Sequence, residues 1–196
     1  MSQDDDDALL LAFQRGDEAA FRLLYERNAR AMIAFCHRFV RDAARAEELA
    51  QDVFVKLYRV AGRYQPQARF KTFLYRVATN HCLNEVRRAE FTARASGPLG
   101  QDQAPDLDAL PSGAAGPHDE AVARSLEQAV VALLGSLPEK QRAAFVLCRF
   151  EGLSYEEIAE TLETSVSAVK SLIHRATVSA ATALAAYAPG GEEVPS

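Results

Sequence analysis

Thr72, Arg76, Asn80, Asn84 and Arg87 recur at intervals of four, four, four and three residues, so a helix sets them along one face. Guanidiniums, primary amides and a hydroxyl in a row do not break bonds, but they suit single-stranded nucleic acid. Cations follow the phosphates and amides hydrogen-bond to base edges. Four aromatics near the start of the same stretch, Tyr64, Phe70, Phe73 and Tyr75, would add stacking surface. Phe73 and Tyr75 would serve equally well as core residues, and pattern alone leaves both roles open. A second set is Ser167, Lys170, Ser171 and His174, flanked by Arg175. These short donors and cations share a helix with Val166, Val169, Ile173 and Ala176, which repeat at i, i+3, i+7 and i+10 and so face inward. A helix so divided can enter a major groove. A third stripe, Glu48, Asp52, Val55 and Arg59, reads either as a solvated face or as a docking surface for a partner's basic helix.

Little else in the sequence could carry chemistry. No nucleophile, base and orienting group cluster together, so no catalytic residue and no enzyme activity are expected. The pairs Cys36-His37 and His81-Cys82 are adjacent in helical patterns and point in different directions, which excludes metal-site spacing. No metal or cofactor is expected. The three cysteines, Cys36, Cys82 and Cys148, are odd in number and far apart, and read as buried free thiols.

The elements behind these faces are helices. Alternating β-branched runs are nearly absent, and a hydrophobic content of 48% over 196 residues supports a globular, all-α chain. Helical periodicity runs from Asp17 to Val40 (Phe21, Leu24, Met32, Phe35 and Phe39 inward) and from Ala43 to Val60 (Leu49, Val53, Leu57 and Val60 inward). A third helix follows from Phe70 to Glu90, with Leu74, Val77 or Ala78, Cys82 and Val86 inward. A further helix is expected from Asp119 to Leu134, then one beginning at Pro138, a residue suited to a first helical position. Ser154 with Glu157 forms a capping-box pattern, and Ser165 is placed to cap the last helix. Between Ser96 and His118, repeated Gly and Pro with no Lys or Arg read as a flexible acidic linker. The predicted organisation is an acidic disordered tail over 1–7, a helical domain over 8–95, the linker over 96–118, a helix-turn-helix domain over 119–187, and a short tail over 188–196.

Charge is distributed unevenly. The net formal charge is −5, yet residues 61–95 hold seven basic against two acidic side chains. The helix-turn-helix stretch from Leu153 to Ala176 has the opposite problem, because its glutamates outnumber its cations. Those glutamates fall mainly on the supporting helix and turn, so the deficit of positive charge must be met by the basic island. No apolar run is long enough to cross a bilayer, and aspartates stand where a signal peptide needs cations. A cytoplasmic protein without membrane insertion is expected.

Four motifs in this order, "AEELAQDVFVKLYR", "FKTFLYRVATNHCLNEVRR", "LPEKQRAAFVLCRFEGLSYEEIAETL" and "SAVKSLIHRA", resemble the extracytoplasmic-function (ECF, group IV) sigma factors of bacterial RNA polymerase. The resemblance covers region 2 (residues 8–95) and region 4 (residues 119–187). It implies an alternative sigma factor that binds core polymerase through the β′ clamp helices and the β flap, recognises the −35 and −10 promoter elements and melts the −10 region. By the same resemblance, core polymerase would be met by Glu48, Leu49, Gln51, Asp52 and Phe54. The −10 element would be met, single-stranded, by Gln65, Phe70, Lys71, Thr72, Arg76, Thr79, Asn80, Asn84, Arg87 and Arg88. The −35 element would be met, double-stranded, by Ser167, Lys170, Ser171, His174 and Arg175. An anti-sigma factor is an implied partner, and association with the nucleoid is implied within the holoenzyme. The alternative is a sigma-mimicking decoy that binds an anti-sigma protein rather than promoters. Family members often carry Arg where Leu172 and Thr177 stand, Gly where Glu163 stands and Trp where Phe73 stands. Two missing cations would weaken phosphate contacts at the −35 element.

Overall fold

The computed structural model describes residues 3–62, 69–95, 130 and 132–185, and the regular structure within them is entirely helical. A first module contains α1 (Gln3–Gln14), α2 (Glu18–Val40), α3 (Ala43–Ala61) and α4 (Phe70–Ala95). A second contains a helical segment over residues 132–136, then α5 (Glu139–Arg149), α6 (Tyr155–Thr161) and α7 (Val166–Ala185). The linker expected over 96–118, and most of the helix expected from Asp119, lie outside the described residues.

Caps set most of the boundaries. The Asp17 carboxylate accepts the N–H groups of Ala19 and Ala20 at 3.0 and 3.3 Å and so starts α2. Asp42 does the same for α3 through the N–H of Arg45 at 2.7 Å. Between them Arg41 takes a left-handed conformation, φ 58°, and its N–H returns to the carbonyl of His37. Ser154 and Glu157 close a complete capping box on α6, and Ser165 accepts the N–H of Ala168 at 3.2 Å to start α7. The turn between α6 and α7 passes through Glu163 at φ 50°, where a Cβ is disfavoured. Pro138 precedes α5 as its N-cap rather than forming its first residue.

The acidic run is not a tail. Asp4 to Asp7 lie within α1, where Asp6 pairs with Arg27 at 3.1 Å and accepts from Asn28 at 3.2 Å. Asp7 reaches α4 and accepts the backbone N–H of Phe70. Neutralisation by these donors, together with Leu10 buried at 3% exposure, anchors a segment whose charge alone argues for disorder.

The core runs through both modules. Leu24, Met32, Phe35, Leu49, Val53, Leu57, Phe70 and Leu74 from the first join Leu134, Val146, Leu147, Ile158 and Val169 from the second in one buried cluster. Val60, expected inward, is instead 44% exposed, and Ala61 beside it takes the fully buried place. Cys36 and Cys82 are buried, whereas Cys148 is only half-buried. The two modules thus pack on each other. Arg142 fixes part of the junction, donating to the carbonyls of Phe39 at 3.2 Å and of Gly135 and Leu137 at 3.2 and 3.3 Å. Burial, with Arg41 nearby, lowers the pKa of its guanidinium from the usual value.

Candidate nucleic-acid interface

The face of α4 divides along its length. Asn80, Asn84, Arg87 and Arg88 are exposed, and Lys71 and Arg76 are half-exposed. Phe70, Thr72 and Thr79 are buried at 1%, 1% and 0% exposure, so they support the face rather than present it. Phe73 and Tyr75 are buried too, at 5% and 4%, which places both aromatics in the core. Tyr75 packs edge-on against Phe35 with ring centroids 5.1 Å apart. Gln65 and Tyr64 lie outside the described residues.

Much of the upper half of α4 faces the second module. Lys71 donates to the backbone carbonyl of Glu151 at 2.6 Å, and the Tyr75 hydroxyl donates to the Glu151 carboxylate. The same carboxylate pairs with Arg38 at 3.2 Å, and the Arg38 guanidinium also lies 4.3 Å from the centre of the Phe150 ring. Thr72 approaches Glu157 at 3.5 Å, and Arg76 stands 3.9 Å from Glu160. Lower down, Arg87 donates to Glu139 at 2.8 Å. Burial and the adjacent Glu151 charge push the Tyr75 phenol far above its usual pKa, so it remains a donor.

By contrast, the reading side of α7 is open. Ser167, Lys170, Ser171, His174 and Arg175 are all exposed, and Val169, Ile173 and Ala176 hold the opposite side in the core. Val166 is only half-buried. Ser171 donates to the carbonyl of Ser167 and Arg175 to that of Ser171, contacts within the helix that leave the face unobstructed.

The third face centres on α3. Glu48, Gln51 and Asp52 are exposed, but Leu49 is fully buried and Phe54 is 4% exposed. Leu49 is therefore a core residue of α3 and not part of its exposed face. Phe54 forms the floor of a groove of about 290 Å³, lined also by Tyr25, Ala29, Ile33, Glu47, Ala50 and Gln51. Sequence reasoning missed Tyr25 and Ile33, although with Ala29 they recur every four residues along α2 and that spacing could have marked the face. Glu48 is held by Arg45, which also binds Glu85 at 2.7 Å, and both carboxylates raise the Arg45 pKa. Asp52 accepts from His81 at 3.3 Å, and that imidazole lies 2.6 Å from the Lys56 ammonium.

Residues 24–92 match the Sigma-70 region 2 family and residues 127–177 match Sigma-70, region 4. The RNA polymerase sigma-H factor of Pseudomonas aeruginosa is 35% identical over 90% of this chain and 92% of its own length. The ECF RNA polymerase sigma-E factor of Escherichia coli is 32% identical over 87% of this chain and 90% of its own. The chain belongs to the ECF sigma factors. The region 2 match spans most of α2, all of α3 and most of α4, and the region 4 match spans α5, α6 and the first half of α7 of this sigma factor. The same fold occurs in CnrH in complex with the cytosolic domain of CnrY, with a TM-score of 0.69 and 23% identity over 93% of this chain and 98% of that one. It occurs again in the sigma factor RpoE in complex with the anti-sigma factor NepR from Bartonella quintana, with a TM-score of 0.67 and 20% identity over 84% of this chain and 96% of that one. Among the described residues of this sigma factor no group of His, Cys, Asp and Glu could hold a metal ion, and no helix is long and apolar enough to cross a membrane.

Proposed function

We propose that this sigma factor binds core RNA polymerase through the outer face of α3 and the Tyr25–Phe54 groove, reads the −35 element with α7 and opens and holds the −10 element with α4. The observation that carries this reading is the separation of two chemically different faces on two modules. Lys170, His174 and Arg175 with two serines form a narrow, exposed helix face suited to a duplex groove. Asn80, Asn84, Arg87 and Arg88 form an amide-and-cation face suited to an unstacked strand. Extruding a base costs a few kcal/mol, offset by contacts to its edge and backbone. Glu48, Gln51 and Asp52 offer acidic and amide groups to a basic partner helix. The polymerase performs the chemistry; this chain positions promoter DNA and, in the cytoplasm, works within the nucleoid-bound holoenzyme.

An anti-sigma protein is part of the same proposal, supported by the RpoE–NepR complex among the structural neighbours. The test is reconstitution with core RNA polymerase on a cognate promoter, read as a run-off transcript. Gel-shift binding to that promoter by the chain alone, with no transcript when polymerase is present, would overturn the proposal and favour an ordinary regulator; neither binding nor transcript would favour a decoy.

A further inference from the structure

We infer that the chain covers the N-terminal part of its own single-strand-binding face: Glu151 of the second module acts as a latch on Arg38, Lys71 and Tyr75, while Asn80 and Asn84 further along α4 and the duplex-reading face of α7 stay exposed. The inference rests on the assignment of α4 to nucleic acid made above and adds a regulatory contact to it.

Geometry makes Glu151 the centre of the junction. Its carboxylate holds Arg38 and the Tyr75 hydroxyl, and its backbone carbonyl holds the Lys71 ammonium, so side chain and main chain clamp three groups of the first module. The Glu151 side chain is 9% exposed and that of Arg38 is 26% exposed, so water screens the pair much less than a surface contact. Charge-assisted bonds of this type are about twice as strong as neutral ones. Glu160 faces Arg76 and Glu157 faces Thr72, extending the acidic cover along α4. Lys71 and Arg76 are also the cations that a bound strand would use for its phosphates. The Glu151 carbonyl at Lys71 and the Glu160 carboxylate at Arg76 take donors that a phosphate would use, and the carboxylates repel its charge. The acidity of the helix-turn-helix thus acquires a role: its glutamates mimic the backbone of the strand that α4 would hold.

The latch predicts an order of events. Because Ser167, Lys170, Ser171, His174 and Arg175 remain exposed with the modules packed, α7 can meet duplex before α4 is released.

The experiment uses the full chain. Nitroxides at Ala44→Cys and Ser179→Cys, with Cys148→Ser, report the distance between modules by double electron–electron resonance at low salt. Glu151→Lys opposes a cation to Arg38 and Lys71, and Glu156→Lys supplies the same charge change on α6, outside the junction. Affinity is read by fluorescence anisotropy with a labelled single-stranded dT20 probe. The latch predicts one narrow distance for the wild type and for Glu156→Lys, a broad and longer distribution for Glu151→Lys, and a roughly tenfold tighter dT20 affinity for Glu151→Lys than for Glu156→Lys. Adding Arg38→Glu to Glu151→Lys restores the pair with reversed signs and should restore both the narrow distance and the weaker binding. A wild-type distribution that is already broad, a Glu151→Lys chain that stays closed, or a double variant that fails to reclose would each overturn the latch. Opening without any gain in dT20 affinity would overturn instead the claim that the latch covers a nucleic-acid face. That outcome would also count against the assignment of α4, and it is separable from the others because the distance measurement does not depend on DNA.

Discussion

The Asp7 carboxylate accepts the backbone N–H of Phe70, sixty-three residues further along the chain, and so supplies from α1 the cap that α4 lacks in its own sequence. The first turn of any helix leaves N–H groups unpaired, and an acidic acceptor there also meets the positive end of the helix dipole. Asp7→Ala should therefore cost about 1 kcal/mol of stability, with Asp7→Asn retaining most of it. Urea denaturation of the three proteins checks this. Equal losses in both variants would assign the effect to charge rather than to the cap.

Asn80 is exposed on the face of α4 that we propose binds the single strand. Asn80→Ala should leave stability within about 0.5 kcal/mol. It should leave core polymerase affinity unchanged while slowing promoter opening about tenfold, a loss equivalent to one or two hydrogen bonds. Arg76→Ala should behave alike. Permanganate footprinting of the −10 region, beside a core-binding titration, separates the two effects. Parallel losses in both assays would point to a folding defect.

Glu163 holds a left-handed turn at φ 50° between α6 and α7. Glu163→Gly relieves the Cβ conflict at the expense of chain entropy, and should stabilise the fold by up to about 1 kcal/mol, or about 2–4 °C in Tm. Calorimetry at matched pH gives the answer directly. A lower Tm would mean that the turn carries no strain worth relieving.

His81 bridges α4 to α3, lying between Lys56 and Asp52. Burial first, and the Lys56 charge second, hold its pKa below the usual value against the pull of Asp52. The unfolded chain therefore takes up the proton more readily than the folded one. The stability contributed by neutral His81 is complete above about pH 6.5 and is lost as pH falls through the lower folded value. His81→Gln should flatten the stability profile in that window. Urea midpoints measured from pH 7.5 downward would show the same slope in both proteins if His81 were not responsible.

The helices were legible because their signals are local. Ser154, Glu157 and Ser165 announce caps, and the Val169–Ile173–Ala176 stripe marks the buried side of α7. The left-handed turn at Glu163 was legible as well, as a departure from the glycine common in the family. What the sequence left obscure depends on contacts between distant segments. Asp4 to Asp7 resemble a solvated tail until Arg27, Asn28 and the N–H of Phe70 are brought to Asp6 and Asp7. Thr72 and Thr79 share a periodicity with exposed residues, and only packing shows them buried. Leu49 lies in a run with Glu48 and Gln51, but adjacent helical residues point apart, and it faces the core. Glu151 gives no periodic signal at all, because it follows the end of α5 in a loop. Its role appears only where the two modules meet.

The sulfur atoms of Cys36 and Cys82 sit 3.7 Å apart, joining α2 to α4 in the centre of the first module. The contact with Cys36, with burial, holds the Cys82 thiol well above its usual pKa, and neither residue is exposed. Such thiols react with an alkylating reagent only when the surrounding structure opens. The half-buried Cys148 should therefore be modified first, and the slow pair afterwards, at a rate set by how often the module around α2 and α4 breathes. The chain thus carries a built-in stopwatch for its own internal fluctuations, one that polymerase, promoter or an inhibitory partner would each reset on binding.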